Sequence, residues 1–390
     1  MGKILYIILA LIMVVACNQR NSRMQESVTV KIDLGATPNR ESATDFQKHF
    51  SIDKLIPLET SDSSLLGVIS QVIVSGENIF ILDMLQNSIF RFNIDGNFTG
   101  KISHQGQGPH EYIKARSIAV VNDELYVSDL TRILQYNLDG KHLKTFSMED
   151  QKTYQLIVNK SGDMIVAGSY IDEYMLNVYD SSWNKTASYF PRDEQLADMT
   201  LTRTTYNSLG FYNDGIFITN YFDPTVYYIK NNEVKPLVKF DFGINNIPND
   251  FFACPPEEKL DKFTAYRGKS VMGISGVTVS DDWIIFYLEE GPASGSSIMF
   301  YDRKQNEYVS SQWLDIPCSM FFEKWNNAPH GYTETGKYYS AISSKKLREM
   351  IEEVAKKEKD YLFRYEFLKE IDPAKINEED NDWLVFFTLK

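Results

Sequence analysis

The sequence predicts an all-β protein, a six-bladed β-propeller, and three observations support this prediction. Aromatic residues make up 13% of the 390 residues, and aromatic side chains suit half-buried pleated surfaces. Pairs of short alternating strands recur along the chain, with tight turns between them. A strand-like segment also precedes the first pair, where it can complete the last blade of a closed ring.

The repeat is clearest in two consecutive units. Each reads as a strand, a short turn, a second strand, an Asp-Gly hairpin and a departing strand. The two hairpins, Asp95-Gly96 and Asp139-Gly140, lie roughly 44 residues apart, a spacing typical of propeller blades. Looser copies follow, so that five units begin near residues 79, 125, 164, 216 and 283.

The sixth unit is split by an insertion. Lys337–Ile342 and Trp383–Thr388 read as its strands, and the segment from Ser344 to about Lys369 between them has apolar residues at helical spacing. We predict that this helical insertion packs on the outside of the ring. Ile52–Leu58 is placed to close the last blade, and Pro57 suits an outer edge strand.

The N-terminus reads as an export signal. A positive start, Met1–Lys3, precedes the apolar run Ile4–Val15, which is shorter than the roughly 20 residues that span a bilayer. Val14-Val15-Ala16-Cys17 resembles a bacterial lipobox, whose cysteine receives a lipid; the alternatives are an ordinary secretory signal or an anchor helix. We therefore predict a signal peptide at 1–16, lipid attachment at Cys17, a polar tether over 17–40 and the propeller over 41–390.

Charge limits the possible partners. The chain has 40 basic and 53 acidic residues and a net charge of −13, which repels phosphate backbones, so nucleic-acid binding is not expected. The expected partners are the membrane, through the lipid, and a glycan or envelope protein. Because no acidic run follows Cys17, the sequence favours the periplasmic side of the outer membrane over the cell surface.

One motif carries a family resemblance. The run from Gly100 to Tyr112 resembles a signature of bacterial six-bladed β-propeller lipoproteins of gut-type Gram-negative bacteria, which are related in architecture to NHL-repeat propellers. The family's usual form is Gly-Pro-Gly-Glu-Tyr, and here His110 replaces the third residue. Lys54–Glu59 and Trp383–Lys390 are similar to the family's ends. The resemblance implies a propeller in the cell envelope and no particular activity.

The same motif supplies candidate contact residues. Glycines permit positive φ angles and Pro109 fixes the following turn. The loop is expected to join one blade's outer strand to the next blade's inner strand. His110, Glu111 and Tyr112 are candidates for ligand contact there, although a structural role is the favoured interpretation.

Two aspartates occupy equivalent places in the repeat. Asp83 and Asp129 end corresponding strands, where carboxylates could face the centre as acid–base groups or calcium ligands. Capping of the following turn is the favoured alternative. His104 and His110 are close in sequence but lack the spacing of a zinc site. No cofactor or metal site is therefore predicted, although a divalent cation such as calcium remains possible.

A last candidate site is aromatic. Trp313, Trp325 and Tyr332 could form a platform that stacks against sugars, or they could seal the last two blades. The sequence shows no catalytic motif, so we predict a binding module for a glycan, peptide or envelope partner. The alternative is a carbohydrate-active hydrolase, lactonase or lyase that uses the central funnel, which rests on analogy between folds. The catalytic residues of such an enzyme are unknown.

Overall fold

The computed structural model describes residues 28–35, 46–148, 151–168, 172–194, 196, 209–292, 298–311, 331–333 and 335–390. Over these residues the chain forms six small β-sheets, and inner strands of neighbouring sheets contact one another. This arrangement is a six-bladed β-propeller, as the sequence predicts.

The strands are numbered in chain order. Two strands, β1 (Val28–Lys31) and β2 (Phe50–Pro57), precede the first blade. Blade 1 consists of β3 (Ile69–Ser75), β4 (Asn78–Asp83), β5 (Ser88–Asn93) and β6 (Phe98–Ile102), and blade 2 of β7 (Ser117–Val121), β8 (Glu124–Ser128), β9 (Arg132–Asn137) and β10 (His142–Ser147). Blade 3 consists of β11 (Gln155–Val158), β12 (Met164–Ala167), β13 (Tyr174–Tyr179) and β14 (Lys185–Pro191).

The later blades follow the same order. Blade 4 consists of β15 (Leu209–Tyr212), β16 (Gly215–Asn220), β17 (Asp223–Lys230) and β18 (Glu233–Asp241), and blade 5 of β19 (Gly273–Val279), β20 (Trp283–Glu289), β21 (Ile298–Asp302) and β22 (Glu307–Ser310). Blade 6 contains β23 (Gly331–Tyr332), β24 (Tyr338–Ile342) and β25 (Trp383–Leu389). The upper face is defined here as the end at which the innermost strands begin.

The middle strands form the core because both of their faces are covered by neighbouring blades. In β4, every residue from Ile79 to Asp83 is buried. The predicted Asp-Gly hairpins are confirmed, with positive φ angles of 87° at Gly96 and 83° at Gly140. The side chain of Asn93 accepts hydrogen bonds from the two backbone N–H groups of Asp95 and Asn97, which fixes the first of these turns.

The ring is closed by β2. This strand pairs antiparallel with β25, from Phe50 opposite Leu389 to Pro57 opposite Trp383, and so becomes the outer strand of blade 6. Ile56 is buried against blade 1 in the cluster that joins the first and last blades. The predicted N-terminal closure is therefore confirmed.

An additional edge strand was not predicted from the sequence. β1 pairs parallel with β18 of blade 4, with Val28 opposite Val238 and Lys31 opposite Asp241. Val30 is buried in the core between blades 4 and 5. The four residues of β1 therefore cover the outer edge of blade 4, which would otherwise expose unpaired backbone groups.

The helical insertion lies between β24 and β25, as predicted. α4 (Ser344–Lys357) packs a face of Leu347, Met350, Ile351 and Val354 against the core of blades 5 and 6. It ends earlier than residue 369 because Glu358 leaves the helical conformation. The short helix α5 (Tyr361–Arg364) follows, and then two 3-10 helices, Glu366–Leu368 and Pro373–Lys375. The other short helices are α1 (Phe46–His49), α2 (Asn249–Ala253) and α3 (Lys259–Tyr266). α2 and α3 lie in the connection from blade 4 to blade 5 and were not predicted.

The side chain of Asn381 makes hydrogen bonds to three backbone groups of the segment that follows β2. The Asn381 side chain donates to the carbonyl oxygens of Glu59 and Ser64 at 2.7 and 2.9 Å and accepts from the Leu66 N–H at 2.8 Å. Next to it, the Asp382 backbone carbonyl accepts from the Leu58 N–H. Burial raises the pKa of the Asp382 carboxyl to about 6.

Replacing Ile56 with alanine is expected to weaken the closure. Ile56 is 1% exposed, so the Ile56→Ala variant should lose about 2–5 kcal/mol of unfolding free energy, through lost burial and the cavity left behind. Lys54, on the same strand, makes only an exposed ion pair with Asp95. Lys54→Ala should therefore cost no more than about 1 kcal/mol. Urea denaturation of both variants measures the difference, and equal losses would contradict a closing role for this side chain.

The Asp382 carboxyl should make stability depend on pH. Because its folded pKa is raised to about 6, folding favours the protonated form, and that stabilisation is lost as the pH rises from 4 through 6. Asp382→Asn should therefore gain up to about 3 kcal/mol relative to the native protein between pH 4 and pH 8. Urea denaturation at both pH values tests this, with Glu379→Gln on the preceding exposed turn as the control. Parallel pH dependence in the native protein and Asp382→Asn would refute it.

Candidate ligand-binding channel

The innermost strands of the six blades surround a central channel of about 410 Å³. Its described walls are mainly aliphatic. The partly exposed aliphatic residues of this lining include Ile73 and Val74 of β3, Val120 of β7 and Ile157 of β11. Gln71, Ser117, Gln155 and Thr278 add polar groups to this lining. The channel is therefore a mixed apolar and polar cavity.

Two cations stand at the upper mouth of the channel. Among the described lining residues, the charged side chains are those of Lys114 and Arg116. Both residues are exposed, and within the described part of the chain neither side chain has an ion-pair or hydrogen-bond partner. They lie in the segment that leads into β7. In a protein with a net charge of −13, these side chains give the mouth a local positive charge.

The channel walls are fixed by side chains that bond to the backbone of the next blade. The Gln71 amide donates to the Ile118 carbonyl and accepts from the Ile118 N–H, both at 2.9 Å, which joins blades 1 and 2. The Ser117 hydroxyl accepts from the Leu156 N–H at 3.2 Å, which joins blades 2 and 3. Tyr339 donates to the Val72 carbonyl at 3.3 Å and so joins blades 6 and 1. Burial raises the pKa of the Tyr339 phenol to about 12.

The loop from Gly106 to Tyr112, which is part of the family signature, lies outside the channel. Glu111 accepts a hydrogen bond from the Gly108 N–H at 2.9 Å. A Cβ at Gly106 would lie 1.9 Å from the Glu111 carboxylate, so a larger residue there would displace this side chain. Gly106 and Gly108 are not among the positive-φ residues, so neither uses the conformational freedom that glycine permits.

Tyr112 has a structural environment. Its side chain is completely buried, and its hydroxyl donates to the Asn87 and Ile102 carbonyl oxygens, each at 3.2 Å. Burial raises the pKa of this phenol to about 12. Tyr112 thus anchors the loop to blade 1, and neither Tyr112 nor Glu111 is part of the channel lining.

His110 lies in a histidine cluster on the outer part of blade 2. Its ring stacks on His142, with ring centroids 4.1 Å apart, while His104 stacks on Tyr136 at 5.2 Å. Burial, and then the neighbouring His110, lowers the pKa of His142. Sequence reasoning grouped only His104 with His110, because the turn that places His142 beside them belongs to the next blade.

The two equivalent aspartates cap turns at the upper face. Asp83 is fully buried. Its carboxylate accepts from the backbone N–H groups of Gly67, Val68, Leu85 and Gln86 and from the Gln86 side chain, at 2.5 to 3.3 Å. Asp129 accepts from the N–H groups of Ile113 and Arg132 and forms a 2.6 Å ion pair with Arg132. These contacts agree with the capping interpretation, and ligand contact by either aspartate stays a prediction.

The aromatic platform is only partly described. Trp313 and Trp325 lie outside the described residues, as does Cys17. Tyr332 is 46% exposed and lines the lower end of the channel, where its ring is 4.8 Å from that of Tyr338. Burial raises the pKa of Tyr332, and the nearby Asp281 and Asp282 add to this effect.

The described residues contain no group of three or more His, Cys, Asp or Glu side chains that could hold a metal ion. In the same part of the chain, no helix is both long enough and apolar enough to cross a membrane.

The sequence analysis did not identify Lys114 and Arg116 as candidate site residues. A signal for them does exist, because Lys114 and Arg116 alternate with Ile113 and Ala115 directly before the inner strand β7. Residues two apart on an extended chain point to the same side. Recognising the signal requires knowing that β7 borders the channel, and this depends on the arrangement of the blades.

The chain was compared with known proteins. It is similar over 93% of its length to a Bacteroides fragilis protein of known structure whose name describes it as exported, with 18% identity, 99% of that chain covered and a TM-score of 0.71. This similarity shows a shared fold. Weaker similarities include the WD40 repeats of RRP9, at 10% identity over 87% of this chain and 100% of that chain, with a TM-score of 0.45.

An inactive virginiamycin B lyase from Staphylococcus aureus shows 13% identity over 75% of this chain and 81% of that chain, with a TM-score of 0.41. No curated protein sequence matches the chain. A model of one protein family, however, matches residues 29–388, a range that begins within β1 and ends within β25. The chain therefore belongs to the family defined by the domain of unknown function DUF4934.

Proposed function

We propose that this protein is a binding module of the bacterial cell envelope that takes an anionic ligand at the upper mouth of its channel. The observation that carries this proposal is the pair of cations, Lys114 and Arg116, which line the mouth without a described partner for either charge. An anionic group of a glycan, peptide or envelope protein would supply the missing countercharge.

The geometry around the two cations supports binding. Lys114 and Arg116 precede a strand whose position is fixed by the Gln71 and Ser117 hydrogen bonds to neighbouring blades. A rigid strand fixes the backbone that carries the two side chains before the ligand arrives, and this reduces the ordering cost of binding. The mixed lining of the channel also matches the usual character of ligand sites, which are largely apolar with a few placed polar groups.

The proposed location follows from the sequence of the N-terminus. We propose export by the signal peptide, lipid attachment at Cys17 and a position on the periplasmic side of the outer membrane. The short apolar run Ile4–Val15 and the lipobox-like Val14–Cys17 support this proposal.

Reversing the charge of the mouth should abolish binding. The purified protein is screened on arrays of anionic and neutral glycans and peptides, beside the double variant Lys114→Glu/Arg116→Glu. We expect an anionic ligand whose affinity falls at least tenfold in the variant and also falls with added salt. Mass spectrometry of the incubated ligand should show it unchanged.

A matched control separates local from overall charge. Lys141 and Lys359 are exposed and have no described ion pair, so Lys141→Glu/Lys359→Glu changes the net charge equally and should leave binding intact. The proposal fails if no ligand depends on the mouth, if both double variants bind equally poorly, or if the bound ligand is consumed.

A further inference from the structure

An exposed aliphatic surface adjoins the mouth of the channel. Five side chains from the upper loops of blades 1 and 2 are exposed to between 44% and 74%: Leu65, Val68, Met84, Leu85 and Ile113. We call them the aliphatic patch. Single exposed apolar residues are ordinary, whereas a contiguous group indicates an interaction surface.

Hydrogen bonds between the loops make the patch continuous. The Met84 N–H donates to the Val68 carbonyl at 2.9 Å, and the Gln86 side chain donates to the Leu65 carbonyl at 2.7 Å. The Leu85 side chain lies against Gly67, where an added Cβ would be 3.0 Å from it. The five hydrogen bonds accepted by the buried Asp83 carboxylate hold these two loops together.

The patch is continuous with the cations. Asn87 donates to the Ile113 carbonyl at 3.0 Å and accepts from the Ala115 N–H at 2.8 Å, which fixes the backbone on either side of Lys114. Met84 belongs to the patch and also lines the channel mouth together with Lys114 and Arg116. A ligand at the mouth therefore meets positive charge and aliphatic surface within one site.

We propose that the occupant of this site is an extended peptide that carries carboxylate side chains beside aliphatic ones. This inference rests on the proposed function and narrows it to one class of ligand. A peptide offers both groups at the spacing of neighbouring residues, so that a carboxylate meets Lys114 or Arg116 while an aliphatic side chain packs on the aliphatic patch. The charges are complementary, and the apolar contact removes exposed aliphatic surface from water.

Other ligands match only part of the site. A uronic-acid oligosaccharide has carboxylates, but sugar rings pack best on aromatic faces, and the members of the patch are aliphatic. An anionic membrane has both negative charge and apolar chains. It is flat, however, whereas Lys114 and Arg116 line a concave channel. The shape of the mouth therefore favours a narrow extended chain.

The test uses fluorescein-labelled peptides and fluorescence anisotropy. The probe peptide alternates Leu and Asp three times between Gly-Ser ends, and two matched peptides replace every Asp by Asn or every Leu by Ser. We expect the probe to bind at least tenfold more tightly than either matched peptide. Trigalacturonate, added as a competitor, represents the uronic-acid oligosaccharides. Phosphatidylglycerol vesicles represent the anionic membrane, and flotation measures whether the protein binds them.

Variants of the aliphatic patch distinguish this inference from the proposed function. Leu85→Ser/Ile113→Ser should lower the affinity for the probe peptide about tenfold. Lys114→Glu/Arg116→Glu should lower this affinity further. The control Ile244→Ser/Phe363→Ser removes two side chains that are 99% and 84% exposed elsewhere, and it should have no effect. Because all four residues are exposed, both double variants are expected to fold.

If trigalacturonate or vesicles bind through Lys114 and Arg116 while the peptides bind equally with Leu or Ser, the peptide inference is overturned and the proposed function stands. Equal affinity of the Asp and Asn peptides also overturns it. If neither the peptides, trigalacturonate nor the vesicles bind in a way that depends on the two cations, the peptide inference is overturned. The proposed function then fails only if the array screen also finds no ligand that depends on them.

Discussion

The pairing of β2 with β25 is the contact on which the rest of the structure depends. It joins the start of the propeller to its final strand, from Phe50 opposite Leu389 to Pro57 opposite Trp383. Only a closed ring brings blade 6 beside blade 1, where Tyr339 bonds to the backbone of β3. The channel therefore exists because of this pairing, and its mouth is a consequence of closure. Burial of Ile56 against blade 1 supplies the apolar part of the same contact.

The upper face shows how polar side chains convert a closed ring into a defined surface. Asp83 is the last residue of β4 and Asp129 directly follows β8, and their carboxylates accept hydrogen bonds from backbone N–H groups of the loops around them. Charge-assisted hydrogen bonds of this kind are stronger than neutral ones, so short loops without regular structure can be held in one conformation. These aspartates position Ile113 and Leu85 without belonging to the channel.

Local signals explain which parts of the fold were predictable. The hairpins at Gly96 and Gly140 depend on residues that are adjacent in sequence, and the five repeated strand pairs could be identified in the same way. β1 could not be predicted, because its partner β18 lies far away along the chain and four residues carry little pattern. α2 and α3 are too short to show helical periodicity.

The candidate site was harder to predict than the fold. Asp83, Asp129, Glu111 and Tyr112 stand out in the sequence, but the structure uses them to hold loops together. Lys114 and Arg116 resemble many other surface cations when they are read in sequence. They become notable only when six inner strands converge and all other charges of an acidic chain lie away from the described lining. Likewise, the stacking of His142 on His110 depends on contact between the start of β10 and the loop that precedes blade 2.

The position of β25 also constrains the order of folding. This strand lies between β24 and β2 inside blade 6, so β2 has no partner until the last residues of the propeller are available. Blades 1 to 3 can form from contiguous segments during synthesis, but the circle remains incomplete until the end. Contacts between such distant segments form slowly because a long loop must close first. A chain of this topology stays open while it is being made, which agrees with the export that we propose for it.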